Sequence, residues 1–211
     1  MELETAKSML RTMASMQEEH NIQVHADWRT NGYEFYRAIW VECAEMLDHF
    51  GWKWWKKQEP DMDQVKLELI DVWHFALSEL IRSDNLSEGL ADDLRNVNVS
   101  DFDAEKFRKA IEGLALSTLQ SKSFEMAYFL KAMETLPLEL EELFTLYIGK
   151  NVLNRFRQAH GYQEGSYRKE WSGREDNEHL IELMQSFTED PEKIPDLLYQ
   201  RLEERYFDTS N

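Results

Sequence analysis

Apolar residues recur every three or four positions over most of this chain, which is the period of an amphipathic α-helix. Leu3, Ala6 and Met13 begin one such stripe close to the N-terminus. The alternation that is typical of a β-strand is confined to Val97 and Val99, which is too short a stretch to predict a strand. The pattern therefore predicts an all-α fold.

Helix boundaries follow from the same stripes and from the residues that interrupt them. The chain holds only eight Gly and four Pro, so few positions force a helix to end. Asp61 or Asp63 is suited to cap one helix, and Pro137 is suited to begin another. After a first helix that starts at Leu3, we predict a loop over 21–32 and helices over 34–50, 61–82, 103–118, 121–134, 137–159, 177–187 and 195–206. We expect residues 1–211 to form a single domain, a helical array with a central antiparallel helix bundle.

Two helices of this predicted bundle each carry a pair of acids in otherwise apolar surroundings. Glu42 pairs with Glu45, and Glu68 pairs with Asp71. Both pairs have i, i+3 spacing, so the two side chains of a pair leave the same face of the helix. A protein normally avoids an isolated buried carboxylate by pairing it, protonating it or binding a metal. Converging carboxylates favour Mg²⁺, a hard cation that prefers oxygen ligands.

A solvated acidic face is the alternative interpretation of these pairs. With 41 acidic residues among 211, about 8 pairs at this spacing are expected by chance. The spacing alone therefore indicates little. The apolar context, which occurs twice, is what favours a metal site.

Charge and apolar content narrow the range of partners and locations. The net charge of −17 repels nucleic acid and anionic membrane surfaces, so we expect neither as a partner. No apolar run approaches the ~18 residues of a membrane-spanning helix, and the acidic N-terminal segment does not fit a signal peptide. The single cysteine, Cys43, lies in an apolar stretch and is expected to be a buried structural thiol. These features predict a soluble cytoplasmic protein.

Three Trp and three Lys crowd the segment 51–57, directly after the first acid pair. Two interpretations fit this composition. The segment forms either a hydrophobic lid with its lysines in solvent, or a site wall that places an indole against a flat ligand and ammonium groups near anionic oxygens. The residues alone leave both open.

The charge balance reverses between Lys150 and Arg174. Six basic residues face two acids there, in a stretch punctuated by glycines. Arg and Lys on a mobile backbone favour phosphate binding, whereas an ion-paired surface segment is the alternative. The basic residues are Lys150, Arg155, Arg157, Arg168, Lys169 and Arg174.

Polar residues near the first acid pairs give weaker signals. Gln17 and Asn21 are one helical turn apart and can present their amides together, as the reading of a base edge requires. Ordinary solvated amides are the alternative. His74, in the second acid-bearing stretch, is expected to be a satisfied core histidine rather than a metal ligand.

Five stretches, taken in order, resemble the dimeric all-α dUTPases, a family within the MazG-like nucleotide pyrophosphatase superfamily. The resemblance covers about residues 17–85 and 147–177, and residues 86–146 show no family motif. The stretches are Glu42-Cys-Ala-Glu45, Trp52-Lys-Trp-Trp-Lys56, Glu68-Leu-Ile-Asp71-Val-Trp-His74-Phe75, Lys150-Asn-Val-Leu-Asn154-Arg-Phe-Arg157-Gln and Gly161-Tyr162-Gln-Glu-Gly165-Ser-Tyr167-Arg-Lys169.

The resemblance implies roles for individual positions. It implies two or more Mg²⁺ held by Glu42, Glu45, Glu68 and Asp71, with Glu42 also acting as the catalytic base. It implies phosphate contacts from Lys150, Asn154, Arg157, Tyr162 and Lys169. It implies base and sugar contacts from Gln17, Asn21, a tryptophan of the 52–55 cluster, here taken as Trp54, and Phe75, the last leaving no room for a 2′-hydroxyl.

The activity implied by the resemblance is Mg²⁺-dependent hydrolysis of dUTP, and of dUDP, to dUMP and pyrophosphate or phosphate. A metal-activated water would attack, with no covalent intermediate. A pyrophosphatase for another deoxynucleotide such as dCTP, or a non-catalytic helical nucleotide-binding protein, is the alternative. We also expect a homodimer, because many apolar residues on the helix faces need cover, namely Trp40, Phe50, Trp73, Phe75, Leu77 and Leu80.

Overall fold

The computed structural model of the chain describes residues 1–99, 101–187 and 193–208. Within these residues the regular secondary structure is helical apart from one small hairpin, which confirms the all-α prediction. The elements are α1 (Leu3–Val24), α2 (Phe35–Phe50), α3 (Met62–Arg82), α4 (Gly89–Arg95), α5 (Ala104–Ser121), α6 (Met126–Thr135), α7 (Leu140–Ala159), β1 (Glu170–Trp171), β2 (Arg174–Glu175), α8 (Asp176–Ser186) and α9 (Ile194–Phe207). They form two compact units, unit 1 over Met1–Thr145 and unit 2 over Leu146–Asn211.

The centre of unit 1 is helix α3, which is apolar nearly all round and is buried on nearly every side. Among its residues Val65, Ile70 and Trp73 are fully buried. The Trp73 ring stacks on Phe129 of α6, with ring centroids 5.0 Å apart. A helix that is apolar on all faces must lie inside a protein, and here α1, α2 and the later helices of unit 1 supply the cover.

Helices α2 and α3 run antiparallel to each other. The His49 carbonyl near the end of α2 accepts a hydrogen bond from the Asp61 amide just before α3, at 3.0 Å. Asp61 caps α3, as predicted, since its carboxylate accepts from the Gln64 amide at 3.1 Å. This cap fixes where α3 begins and therefore which of its residues face α2.

Several predicted boundaries of unit 1 are wrong. The N-terminal helix continues to Val24, so Asn21 is helical and the predicted loop over 21–32 starts too early. The helix expected over 121–134 begins only at Met126. The short helix α4 has no predicted counterpart, since a stripe of two turns is too brief to register as a periodic pattern.

Unit 2 is built around aromatic rings. The fully buried Phe156 of α7 contacts Trp171 and Tyr206 edge to face, at centroid distances of 5.8 and 5.4 Å. The antiparallel β1–β2 hairpin turns through Ser172 and Gly173, both with positive φ, where glycine is the residue with no steric penalty. The hairpin leads directly into α8 and so sets the position of the first residues of that helix.

None of the helices in the described part of the chain is long and apolar enough to cross a membrane.

Candidate active site

The antiparallel packing of α2 on α3 brings three of the predicted metal ligands together. Glu42, Glu68 and Asp71 each offer a carboxylate oxygen, and these oxygens lie within 4.8 Å of one another. Glu68 is only 4% exposed, and the other two side chains are half-buried. We call these three residues the acid cluster. Oxygen donors at this spacing are suited to hold a hard divalent cation.

Glu45, the fourth predicted ligand, lies one turn further along α2 and is exposed. It is not among the three residues whose oxygens converge. Its charge nevertheless reaches the acid cluster, because it contributes to the upward pKa shift of Glu42. The structure therefore places Glu45 at the rim of the acid cluster.

The carboxylates of the acid cluster repel one another electrostatically. Burial, as the largest cause, and the negative charges of Asp71, Glu68 and Glu45 together raise the pKa of Glu42 to about 9. Such a carboxyl binds a proton at neutral pH unless a cation takes the place of that proton. The donor set thus fits a divalent metal ion.

His49 is a neighbour of the acid cluster that the sequence analysis missed. Its Nε2 lies 3.2 Å from Oε1 of Glu68, and this hydrogen bond raises the pKa of His49 against the opposing effect of partial burial. The residue could have been found by extending the face of α2, since it follows Glu42 by two turns and Glu45 by one. In the absence of a metal, a protonated His49 partly offsets the charge of Glu68.

Cys43, between the two acids of α2, is buried. Burial raises the pKa of its thiol to about 12, and the neighbouring charge of Glu42 adds to the effect. A thiol with such a pKa is a poor nucleophile at neutral pH, so the residue is structural, as predicted.

The predicted base-reading amides form a second polar cluster, between α1 and α3. Gln17 is 3% exposed, and its Nε2 donates to Oδ1 of Asn21 at 3.1 Å and to Oγ of Ser78 at 3.0 Å. Its Oε1 lies 2.7 Å from Nδ1 of the buried His74. Asn21 donates from Nδ2 to Oγ of Ser78 at 2.9 Å. We call these four residues the amide cluster.

The amide cluster bears on two expectations and adds one residue. The Gln17 and Asn21 amides lie together and hydrogen-bond to each other, and Nδ1 of the buried His74 has a hydrogen-bond partner. Ser78 was missed, because a lone serine in an apolar helix gives no signal by itself. Its position one turn after His74 on the same face of α3 is the pattern that would have indicated it.

The acid cluster and the amide cluster share one face of α3. Asp71 and Ser78 are seven residues apart, which is two helical turns or about 10 Å along the axis. Phe75 lies between them on the same face and is half-buried. One face of α3 therefore carries an acidic group, an aromatic ring and the Ser78 hydroxyl that bonds the amides of α1, in a row.

The tryptophan segment after α2 is largely exposed. Trp54 is 88% exposed and contacts the ring of Trp55 edge to face, with centroids 5.4 Å apart. Trp52 donates from its indole N–H to Asp48 at 3.2 Å. Trp54 is not one of the four hydrogen-bonded residues of the amide cluster.

The basic segment of unit 2 contains a buried network of hydrogen bonds. Lys150 is 1% exposed and donates from Nζ to Oδ1 of Asn177 at 2.8 Å. Arg157 donates from Nε and Nη2 to the two carboxylate oxygens of Asp176, both at 2.8 Å, and from Nη1 to Oδ1 of Asn154 at 3.1 Å. We call these five residues the cation network. It brings three of the five predicted phosphate-binding residues together.

The other two predicted phosphate-binding residues lie nearer the surface of unit 2. The Arg157 guanidinium carbon is 5.8 Å from the ring centroid of the exposed Tyr162. Lys169 forms an ion pair with Glu175 at 3.3 Å, and this partner outweighs partial burial and raises the pKa of Lys169. Glycine-punctuated backbone connects both positions to α7, as the sequence suggested.

Comparison with known families assigns the chain. A comparison with curated protein sequences finds no match. The sequence model of the family described as dUTPase matches residues 9–162, well over half of the chain. The matched range includes both acid pairs, the amide cluster and the basic segment up to Tyr162. With its helical architecture, this match shows that the chain belongs to the all-α dUTPase family, consistent with a place in the MazG-like superfamily, and is a dUTP diphosphatase.

Proposed function

We propose that the protein hydrolyses dUTP to dUMP and pyrophosphate in a Mg²⁺-dependent reaction, and dUDP to dUMP and phosphate, without a covalent intermediate. The observation that carries this proposal is the convergence of Glu42, Glu68 and Asp71 within 4.8 Å. The amide cluster on the same face of α3 adds polar groups that suit a base. The proposal thus assigns the two ends of one helix face to phosphate chemistry and to base recognition.

The acid cluster and Glu45 are the residues that would hold two or more Mg²⁺. Bound Mg²⁺ would neutralise the phosphate chain and orient and acidify the attacking water. Carboxylates from two antiparallel helices keep the donors fixed before metal and substrate arrive, which limits reorganisation during the reaction.

We assign the base to Glu42. The position of Glu42 matches the base of the family, and in the structure its carboxylate lies with those of Glu68 and Asp71 in the acid cluster, beside the proposed metal site. A carboxylate oxygen of Glu42 that holds no Mg²⁺ would take the proton of the attacking water and later release it to solvent.

For the phosphate chain we assign the five basic and polar residues of unit 2 that match the family. Arg and Lys donors stabilise charge that develops on the leaving phosphate. The residues are Lys150, Asn154, Arg157, Tyr162 and Lys169.

For the base we assign Gln17 and Asn21, with Trp54 as the aromatic neighbour and Phe75 below the sugar. Amides supply both donors and acceptors, as the alternating groups of uracil require, whereas cytosine presents an amino group where uracil has a carbonyl. His74 and Ser78 fix the orientation of the amides through the distances given above. Mispairing with the wrong base leaves buried polar groups unsatisfied, which favours dUTP over dCTP.

We further propose that the protein is a homodimer in the cytoplasm. Several of the apolar residues expected to need cover from a partner do not need it. Phe50, Trp73 and Leu77, three of the residues expected to need a partner, are buried within the chain itself. Trp40 is 37% exposed and Trp54 is 88% exposed, so these rings are better candidates for a contact surface between two copies of the chain. Light scattering that gave a fully active monomer at assay concentration would refute the dimer.

The decisive experiment measures pyrophosphate release from dUTP, dCTP, dTTP and UTP at one Mg²⁺ concentration. It repeats the dUTP assay without Mg²⁺ and measures phosphate release from dUDP. We expect dUTP to be preferred, and turnover to vanish when the metal is chelated. Equal kcat/KM for dUTP and dCTP would refute the uracil assignment. Full activity without a divalent ion would refute the role of the acid cluster.

A further inference from the structure

Asp176 and Asn177 are consecutive residues at the start of α8, and together they hold the buried side chains of Lys150 and Arg157. Asp176 is completely buried and accepts two hydrogen bonds from Arg157, at 2.8 Å each, and one from the hydroxyl of Tyr167 at 2.9 Å. Oδ1 of Asn177 accepts from Nζ of Lys150 at 2.8 Å and from Nη2 of Arg157 at 3.3 Å. Both acceptors lie outside the range matched by the family model.

The backbone around these two residues is fixed independently of the cations. The amide of Asp176 donates to the Lys169 carbonyl at 2.9 Å. Glu175 and Glu178 form a capping box, in which the Glu178 carboxylate accepts from the Glu175 amide at 2.8 Å. Because the capping box satisfies the start of α8, the Asp176 side chain remains available for Arg157.

A buried ion pair of this kind contributes little to stability, because desolvation offsets much of the attraction. Burial alone would raise the pKa of Asp176, but the hydrogen bonds and charge of Arg157 outweigh it, and the net shift is downward. Asp176 is therefore ionised at neutral pH. A bidentate contact fixes the plane of the guanidinium, which a single point charge cannot do.

We propose that Asp176 and Asn177 are positioning residues for the phosphate chain of dUTP, which orient Arg157 and Lys150 before the substrate binds. This inference rests on the proposed phosphate-binding role of those two cations. Asp176 holds the Nε–Nη2 edge of Arg157 while Asn154 lies at Nη1, so the direction of every guanidinium N–H is set. Donors oriented in advance stabilise developing charge without reorganising during the reaction.

The test begins with Asp176→Asn, which keeps the shape of the side chain but removes its charge and one acceptor oxygen. We expect kcat/KM for dUTP to fall about 10- to 100-fold, since a misplaced group can cost about 100-fold in rate. Binding of deoxyuridine, which has no phosphate, should be unchanged. In an Arg157→Ala background, Asp176→Asn should cause no further loss, because it acts through the arginine.

The matched control is Glu182→Gln, an exposed acid of the same helix whose carboxylate pairs with Arg174 and Arg205 and is not an acceptor of Arg157 or Lys150 in the described hydrogen bonds. It should lower the melting temperature slightly and leave kcat/KM unchanged. A purely structural role for Asp176 predicts that both variants lose stability and neither loses turnover. If Asp176→Asn does not fold, Tyr167→Phe, which removes one hydrogen bond to Asp176, should give a smaller loss of kcat/KM with unchanged deoxyuridine binding.

The outcomes separate this inference from the proposed function. If Arg157→Ala reduces kcat/KM but Asp176→Asn and Tyr167→Phe do not, the positioning role is refuted and the phosphate assignment stands. If Arg157→Ala itself leaves kcat/KM unchanged, the phosphate assignment fails, and this inference fails with it. Losses in Asp176→Asn that add to those of Arg157→Ala would also refute action through the arginine.

Discussion

The acid cluster of unit 1 and the cation network of unit 2 handle buried charge in opposite ways. In unit 1 three carboxylates converge, and the pKa of Glu42 is raised to about 9. In unit 2 a buried acid accepts two hydrogen bonds from a buried arginine, and the pKa of Asp176 is lowered. The acid cluster concentrates like charges and is suited to hold a cation, whereas the cation network already holds its counter-charge. Removing a charge should therefore have opposite effects on the stability of the two units.

The largest expected effect is on turnover, in the acid cluster. Glu42→Gln should reduce kcat by about 10²–10⁴-fold, because it removes the base and disturbs a metal ligand. Steady-state kinetics at saturating Mg²⁺ measure this directly. Glu112→Gln, an exposed acid on α5, is the control and should retain activity. Near-normal kcat in Glu42→Gln would exclude that residue from the mechanism.

The next effect is on stability, and it tests the contrast itself. Arg157→Ala should destabilise the protein by about 3–5 kcal/mol, since it leaves the buried Asp176 carboxylate without its charged partner. In the metal-free protein Glu42→Gln should instead be neutral or stabilising, because it relieves repulsion. Urea unfolding in the presence of a chelator compares the two, with exposed Arg155→Ala as the control on α7. Equal destabilisation by both variants would refute the contrast.

A smaller effect separates the two ends of the α3 face. Gln17→Ala and Asn21→Ala should reduce the preference for dUTP over dCTP by about 10- to 100-fold, the equivalent of one or two lost hydrogen bonds in a buried site. Mg²⁺ affinity should change less. The ratio of kcat/KM for the two nucleotides is the measurement, and Gln23→Ala, on an exposed face of α1, serves as the control. Unchanged discrimination would remove the amide cluster from base recognition.

A further effect, spread over a wide pH range, is a dependence of stability on pH in the metal-free protein. The pKa of Glu42 is raised from 4.5 to about 9 in the folded state, so the folded protein binds more protons than the unfolded chain between these values. Stability should therefore fall as pH rises through this window. Thermal unfolding with chelator at several pH values should show this decline, and Glu42→Gln should flatten it. Saturating Mg²⁺ should flatten it too.

The two regions also differ in how much the sequence predicts. The acid pairs are local patterns, because an i, i+3 pair in an apolar stretch specifies both the helix face and its burial. Glu42, Glu68 and Asp71 were therefore expected to converge once two such helices packed together. Helix type was predictable for the same reason, while ends such as Val24 depend on caps that periodicity does not encode.

Asp176 illustrates what remained out of reach. Its partner Arg157 lies 19 positions earlier in the chain, and only folding through the β1–β2 hairpin brings the two together. A count of charges gives the net balance of a segment and not its pairs. The basic segment stands out by its charge, but the buried counter-charge of its cations is visible only in three dimensions.

The buried thiol of Cys43 makes the packing of α2 on α3 observable in time. Its pKa of about 12 and its burial protect it from alkylation while the helices stay together. An alkylating reagent can therefore react only when this region opens, and because the chain has a single cysteine, each modification reports that one event. The rate of labelling therefore measures how often the region beside the acid cluster opens. A ligand that binds the closed form must lower the rate of Cys43 alkylation in proportion to its occupancy.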